Sequence, residues 1–535
     1  MSNRNLGCLG CLRCLECEGC ANWRVTRILR RKAQHQDLRN ASDQTDVTQS
    51  LATRALLAIV LMVGFYVLAL GIAGVLIWIP YAEYAYLGRV HIRITLGCLG
   101  AAGAILWSLI PRADRFTAPG PQLTPANAPR LFGVINEVAT ATSQKPPVEV
   151  YLLNDVNAWV THRGGVMGFG SRRVMGVGLP LLTGLSPREL EAVIAHEFGH
   201  YCSGDVALGP WIYKTRAAIA RTLMGVRETF LEVAFNWYAR LFLKLTMAVS
   251  RRQEFIADET AARIAGADAA AGALRKVATI GPAYASYFQI EVVPILSAGF
   301  IPPIAEGFER FLASPSARQA LERFAEAQMT GDRVGEFDTH PPLADRLAAL
   351  GSSPAAADAD KVEAPDTFVP EPEQEVRALL EHHFGSDAIS QMKPIAWESV
   401  PQQVYAGTWT RLADRYRQWF GTMTMDQIPS GKRPYSEMGA RLEQTGEIID
   451  SEQRIGRAVQ LMTAGLGAAL IGAGWQIETA PGEPLVLVRG DERLDPRKSI
   501  VRLVEEPESY KEWRALCERL GIAHLSLAGH EVVGS

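Results

Sequence analysis

The sequence predicts an α+β fold, mostly helical, with a helical hairpin through a membrane near the N-terminus and a small α+β domain at the C-terminus. Three observations predict it. Residues Ala55–Trp78 carry no charge and are long enough to cross a bilayer at about 1.5 Å per residue. His196-Glu197-Phe198-Gly199-His200 lies in a helical pattern with two histidines four apart. Residues 352–374 are dominated by Ala, Pro, Asp and Glu, with almost nothing to bury, and separate a domain over 111–351 from one over 375–535.

The elements follow in order. Residues 1–54 are basic and rich in cysteine: Cys8, Cys11, Cys14, Cys17 and Cys20 recur at a spacing of three. Such spacing suits thiolate coordination of zinc or an iron–sulfur cluster, but it lacks the CxxCxxCxxxCP run of bacterial ferredoxins. A disordered tail, or cysteines acylated at a membrane, is the plain alternative. Cys98, Cys202 and Cys517 are scattered and read as unpaired packing residues.

The membrane hairpin occupies 55–110. Its first helix starts far from the N-terminus and lacks a small-residue cleavage site, unlike an ordinary signal peptide. The second, Ile94–Ile110, is near the lower limit for a span, with Trp107 and Pro111 suited to the interface. Arg24, Arg27, Arg30, Arg31, Lys32, Arg39 and Arg54 precede the hairpin, and Arg112 and Arg115 follow it. The connection has Arg89 and Arg93 against Glu83, so the positive-inside rule puts both ends in the cytoplasm.

Thr124-Pro125 opens a helix with Leu131, Val134, Ile135 and Val138 on one stripe, and Pro146-Pro147 breaks the chain before a strand over Val148–Leu153. Asn157-Ala158 and the glycine-rich run Arg163–Gly170 follow. That run does not sit between a strand and a helix as a dinucleotide loop would, so it reads as a turn or hairpin before an extended segment over Val174–Leu179. Ser186-Pro187-Arg188-Glu189 is a capping box with Pro at the first helical position. The helix it opens places Val193, His196, Glu197 and His200 on one stripe. Residues 205–250 read as core-facing helices, because Lys214, Arg216, Arg221, Arg227, Glu228, Glu232, Arg240 and Lys244 argue against a further free span. Beyond 374, a helical region over Val376–Gly421, a soluble Gly/Ala-rich helix over Ala458–Trp475, a hairpin to Val488 and a helix over Tyr510–Leu520 are expected.

The chemistry concentrates in the HExxH pentapeptide. His196 and His200 offer two imidazoles to one tetrahedral zinc ion, with Glu197 beside the water as general base, which is peptidase chemistry. A third protein ligand must come from elsewhere. Glu254, in a helix continuing through Ala261 and Ile264, is the best placed, with Asp258 one turn on to orient an imidazole. From spacing alone, a solvated pair of acids beside Arg251 and Arg252 fits as well.

With these motifs the chain resembles the HtpX and CAAX-prenyl-protease family of integral-membrane zinc metallopeptidases. It pairs HExxH with ExxxD, Glu254 to Asp258, and carries a later Thr339-His340-Pro341-Pro342-Leu343 followed by Arg346, over roughly residues 52 to 350. The resemblance implies a zincin-like domain holding one Zn²⁺ on His196, His200 and Glu254, with Asp258 behind the ligands. It implies that Glu197 is catalytic and that His340 stabilises the tetrahedral intermediate, although His340 alone could equally cap the following helix. Arg346 would reach the same substrate oxygen or hold a nearby carboxylate. The strand ahead of the HExxH helix would be an exposed edge that pairs with substrate backbone.

The function expected is a membrane-anchored zinc endopeptidase of the inner membrane, multi-pass, with its catalytic domain in the cytoplasm and misfolded membrane proteins as substrates. A CAAX-type processing role fits less well, since those relatives enclose the site in many spans. A non-catalytic zinc-stabilised scaffold is the competing class, and it has no need of Glu197. The expected partners are polypeptide substrates and the bilayer; a net charge of −3 gives no electrostatic case for nucleic acid.

Overall fold

The computed structural model describes residues 51–110, 116–164, 170–201, 209–330, 341–351, 368–442 and 451–528. The five N-terminal cysteines, the basic residues around them, His340 and most of the 352–374 segment lie outside the described residues.

Helices α1 (Leu51–Leu87) and α2 (Ile92–Leu109) form the N-terminal pair, and both are long and apolar enough to cross a membrane. On α1, Phe65, Ala69, Ala73 and Leu76 recur at helical spacing and are buried, while Val63, Val67, Leu70 and Val75 on the other side are exposed. A helix apolar all round, with only 28% of its apolar span buried by protein, suits a lipid environment. The helix runs on past Trp78 through Pro80 to the exposed aromatics Tyr81, Tyr84 and Tyr86.

The buried face of this pair packs against a helix ahead of Glu254 and the first half of the helix that carries it. Helices α5 (Gly209–Gly225) and α6 (Leu231–Ala265) supply Ala218, Ile219, Phe235, Tyr238 and Phe242 to one apolar cluster with α1 and α2. The Tyr238 hydroxyl donates to the Leu61 carbonyl at 2.5 Å, and the absence of a side chain at Gly64 makes room, since a Cβ there would lie 2.7 Å from that hydroxyl. Ser108 on α2 meets Thr222 on α5 at 2.6 Å, and the Arg221 guanidinium donates to the Ser108 carbonyl.

Between these helices in sequence come α3 (Pro129–Ala141) and a four-stranded sheet of β1 (Gln122–Leu123), β2 (Glu149–Leu153), β3 (Ala158–Arg163) and β4 (Arg172–Gly178), in the order β1-β2-β4-β3. β4 pairs in parallel with β2, Glu149 opposite Val174, and antiparallel with β3, Ala158 opposite Val177 and Arg163 opposite Arg172. β4 is therefore interior. The expectation that the strand ahead of the HExxH helix is an exposed edge is corrected: the hairpin folds β3 along the whole of β4 and β3 takes the edge. The pairing is close, as a Cβ on Gly176 would fall 2.5 Å from the Trp159 indole across the ladder. Val174, Met175 and Val177 are fully buried, as a central strand requires.

After β4 and a short helix over Leu179–Gly184 comes α4 (Pro187–Gly199), and after α6 comes α7 (Ala267–Tyr287). A short helix, α8 (Leu343–Ala349), belongs to the same compact unit, which covers residues 10–280 and 325–375.

A second compact unit joins 281–324 to the segment from 376 onward. Trp397 Nε1 donates to the Pro303 carbonyl and the Tyr287 hydroxyl to the Ile304 carbonyl, both at 2.9 Å. Its core holds the helix Ser451–Gly472, with Met462, Leu466 and Leu470 buried, against an antiparallel sheet of Gln476–Glu478, Val486–Arg489 and Glu492–Leu494. That helix is also apolar enough to span a membrane, yet its apolar side chains are used as a core.

Candidate metal centre

The HExxH motif is presented by α4, whose start is secured locally. The Ser186 backbone N–H donates to Glu189 Oε2 at 2.8 Å, and the Glu189 N–H returns a bond to Ser186 Oγ at 3.4 Å, so two orphan donors of the first turn are satisfied. Glu189 also accepts from Lys276 Nζ at 2.6 Å, which ties the start of α4 to α7. Leu190, Ile194, Ala195 and Phe198 bury one face of the helix, leaving His196, Glu197 and His200 half-buried on the other. His200 is the C-cap residue, still in right-handed helical conformation.

The glycine inside the motif lets the second ligand segment in. A Cβ on Gly199 would lie 2.8 Å from the Ala257 Cα, so α4 and α6 cross nearly backbone to backbone at that point. This approach sets buried Glu254 and Asp258 of α6 beside the two imidazoles.

Glu254 Oε2 is 3.6 Å from His196 Nε2, and Glu254 Oε1 is 3.7 Å from His200 Nε2. One ligand atom from each of the three residues lies within 4.8 Å of the others. An ion bound at about 2.0–2.2 Å in tetrahedral geometry needs its ligand atoms roughly 3.3–3.6 Å apart, so the two carboxylate–imidazole separations are close to what such an ion requires, and the three ligand atoms together, within 4.8 Å, need only a small contraction around it.

Behind the triangle, Asp258 Oδ1 is 3.0 Å from His196 Nδ1, which leaves Nε2 facing Glu254. Arg346, from α8, grips Asp258 in two bonds, Nε to Oδ2 at 2.7 Å and Nη2 to Oδ1 at 2.6 Å, and approaches Glu254 Oε2 at 3.5 Å. Burial opposes the charge on Asp258, but Arg346 and then His196 outweigh it and hold its pKa below the usual aspartate value. Burial likewise disfavours the Arg346 cation, and Asp258, Glu254 and Glu197 together raise its pKa instead.

The predicted residues His196, Glu197, His200, Glu254, Asp258 and Arg346 thus converge, while His340 and the cysteines at 8, 11, 14, 17 and 20 lie outside the described residues. Arg346 meets a carboxylate, the second of its two expected roles. A supporting group backs the C-terminal end of α4. Gln144 Nε2 donates to the Phe198 carbonyl at 2.9 Å, Arg173 donates to Gln144 Oε1 at 2.6 Å, and the Arg173 guanidinium lies over the Phe198 and Tyr201 rings at 4.5 and 4.8 Å. Nothing in the sequence marks Gln144 or Arg173, since each acts on residues distant along the chain.

Residues 125–353 match Peptidase family M48. This stretch is an M48 peptidase domain. The match spans HExxH, Glu254, Asp258 and Arg346, and ends before the residues from 376 onward of the second unit. The chain is 29% identical over 236 residues to a Protease HtpX homolog of Archaeoglobus fulgidus, covering 42% of this chain and 67% of the relative. It is 27% identical over 252 residues to Protease HtpX of Escherichia coli O1:K1 / APEC, covering 41% of this chain and 71% of that one. No solved structure matches significantly. With α1 and α2 ahead of the M48 domain, the protein is a membrane-anchored metallopeptidase.

Proposed function

We propose that this protein is a zinc-dependent endopeptidase of the cell membrane, acting from the cytoplasmic face on polypeptides, chiefly misfolded membrane proteins. The observation that carries the metal assignment is the triangle of His196, His200 and Glu254 with Asp258 on the far nitrogen of His196. Two imidazoles and one carboxylate form a donor set that suits zinc and leaves the fourth position open. When bound, such an ion supplies Lewis acidity, bringing the pKa of water to about 7 and polarising the scissile carbonyl.

The chain's own residues supply the rest. Glu197 takes the proton of the attacking water and returns it to the leaving amine. Asp258 keeps the His196 proton on Nδ1, and Arg346 keeps Asp258 ionised. His340 donates to the developing oxyanion, a role taken from the resemblance. An extended peptide pairs with β3, the strand at the end of the sheet order among the described residues, and main-chain pairing explains how such an enzyme accepts varied sequences. The basic flanks of the membrane hairpin support a cytoplasmic domain, so a reporter fused after Ser535 should be active only in the cytoplasm.

The test is peptide hydrolysis by the full chain in detergent. Activity should vanish on chelation and return with one zinc per chain, whereas hydrolysis untouched by complete metal removal would rule the proposal out.

A further inference from the structure

We propose that the cavity at the C-terminal end of α4 is a substrate subsite that takes an acidic side chain; this rests on the peptidase reading above. The cavity has a volume of about 520 Å³, and its lining includes Lys145, Val148, His162, Arg172, Arg173 and Tyr201. Among the described residues that line it, four side chains are basic and none is a carboxylate.

Its position ties it to the metal centre. Tyr201 directly follows His200, and its hydroxyl donates to the Val160 carbonyl on β3 at 2.7 Å. His162, two residues further along β3 and on the same face of the strand, meets the Tyr201 ring at 5.9 Å. The cavity therefore lies between the segment that carries a metal ligand and the sheet's edge strand, where a side chain of a strand-paired peptide can enter it.

Its chemistry is set in advance. Arg173 donates to the Lys145 carbonyl at 2.8 Å and to Gln144 Oε1 at 2.6 Å, with its plane over two rings, so the guanidinium is held in place before any ligand arrives. Arg172 is partly neutralised from outside the cavity by Glu149 at 2.9 Å, whereas Lys145 reaches in from an exposed loop. Burial, and after it the charge of Arg173, lowers the pKa of His162. Exposed Val148 offers an apolar surface for the methylenes of a glutamate. Carboxylates are favoured here and lysine or arginine side chains repelled.

The experiment uses the full chain in detergent and peptide sets that differ only in Glu, Gln or Lys at each position around the scissile bond. At one position, kcat/KM should be at least about tenfold higher for Glu than for Lys. Lys145→Glu should lower that ratio about tenfold or more and Arg172→Gln should lower it less, with ratios at other positions unmoved. Cleavage with no acidic preference anywhere, or a preference indifferent to both variants, would overturn the subsite. Binding to phosphatidylglycerol vesicles that Lys145→Glu abolishes, with the peptide ratio unchanged, would overturn it in favour of a lipid-headgroup site. A wild-type chain that cleaves no peptide would sink the peptidase reading and the subsite with it.

Discussion

Replacing Arg346 with Met removes the cation that grips Asp258 behind the metal ligands. The guanidinium holds Asp258 by bonds of 2.6 and 2.7 Å and sits 3.5 Å from Glu254, with the Arg346, Asp258 and Glu254 side chains only 11%, 3% and 7% exposed. Breaking one partner out of a buried pair typically costs about 3–5 kcal/mol, because the other charge is left without compensation. In a domain of this size each kcal/mol moves the melting midpoint by about 2–4 °C, so the metal-free variant should melt roughly 6–20 °C below wild type. Zinc should narrow the gap, since a bound cation takes over part of the compensation for Glu254. Asp258, no longer held ionised, would orient His196 less well, and zinc affinity should fall by about 10–100-fold. Melting curves with and without zinc, and chelator competition, read both effects. Arg346→Lys should recover part of the stability through its charge but not the two-pronged grip. An Arg346→Met protein with wild-type midpoints and zinc affinity would refute the reasoning.

Three further outcomes follow from the same geometry. Glu254→Ala should leave two protein ligands and lose most bound metal, and full zinc occupancy by metal analysis would remove Glu254 from the ligand set. Gly199→Ala should force α4 and α6 apart at Ala257, costing about 1–3 kcal/mol in denaturant unfolding and weakening metal binding; an unchanged unfolding curve would show that the helices yield freely. Burial raises Glu291 to about 7, partly opposed by the N–H bond from Gly482. The native state then holds a proton that the unfolded chain releases near pH 4.5, so the stability contributed below that value is lost as pH rises through about 7, up to about 3 kcal/mol. Glu291→Gln should flatten the melting midpoint over that window, and a wild-type slope in the variant would contradict the assignment.

Much of the site was legible because its signals are local. The capping box at Ser186 and Glu189, the four-residue spacing of His196 and His200, the charge-free run after Arg54 and the Pro146-Pro147 break each act within a few residues. What was not legible depends on pairing at a distance. No periodicity tells that β4 lies between β2 and β3, because both edge and centre positions accept Arg172–Gly178 until partners are known. The charges over residues 205–250 argue against a further free span but do not show that Tyr238 and Phe235 bury themselves against α1. Gly199 looks like a filler in HExxH until Ala257 is set against it, and residues 281–324 read as part of the larger domain until Trp397 and Tyr287 place them with the C-terminal unit.

The central claim is that Glu197 performs acid–base catalysis at a metal held by other residues, and Glu197→Gln tests it most directly. The substitution keeps the size of the side chain and leaves His196, His200 and Glu254 in place. Peptide turnover and zinc content should be measured on the same preparation of the full chain. The account predicts about one zinc per chain with turnover reduced by at least about a hundredfold, the lower end of what a general base contributes. Undiminished turnover at full zinc occupancy would contradict it, and so would loss of the zinc itself.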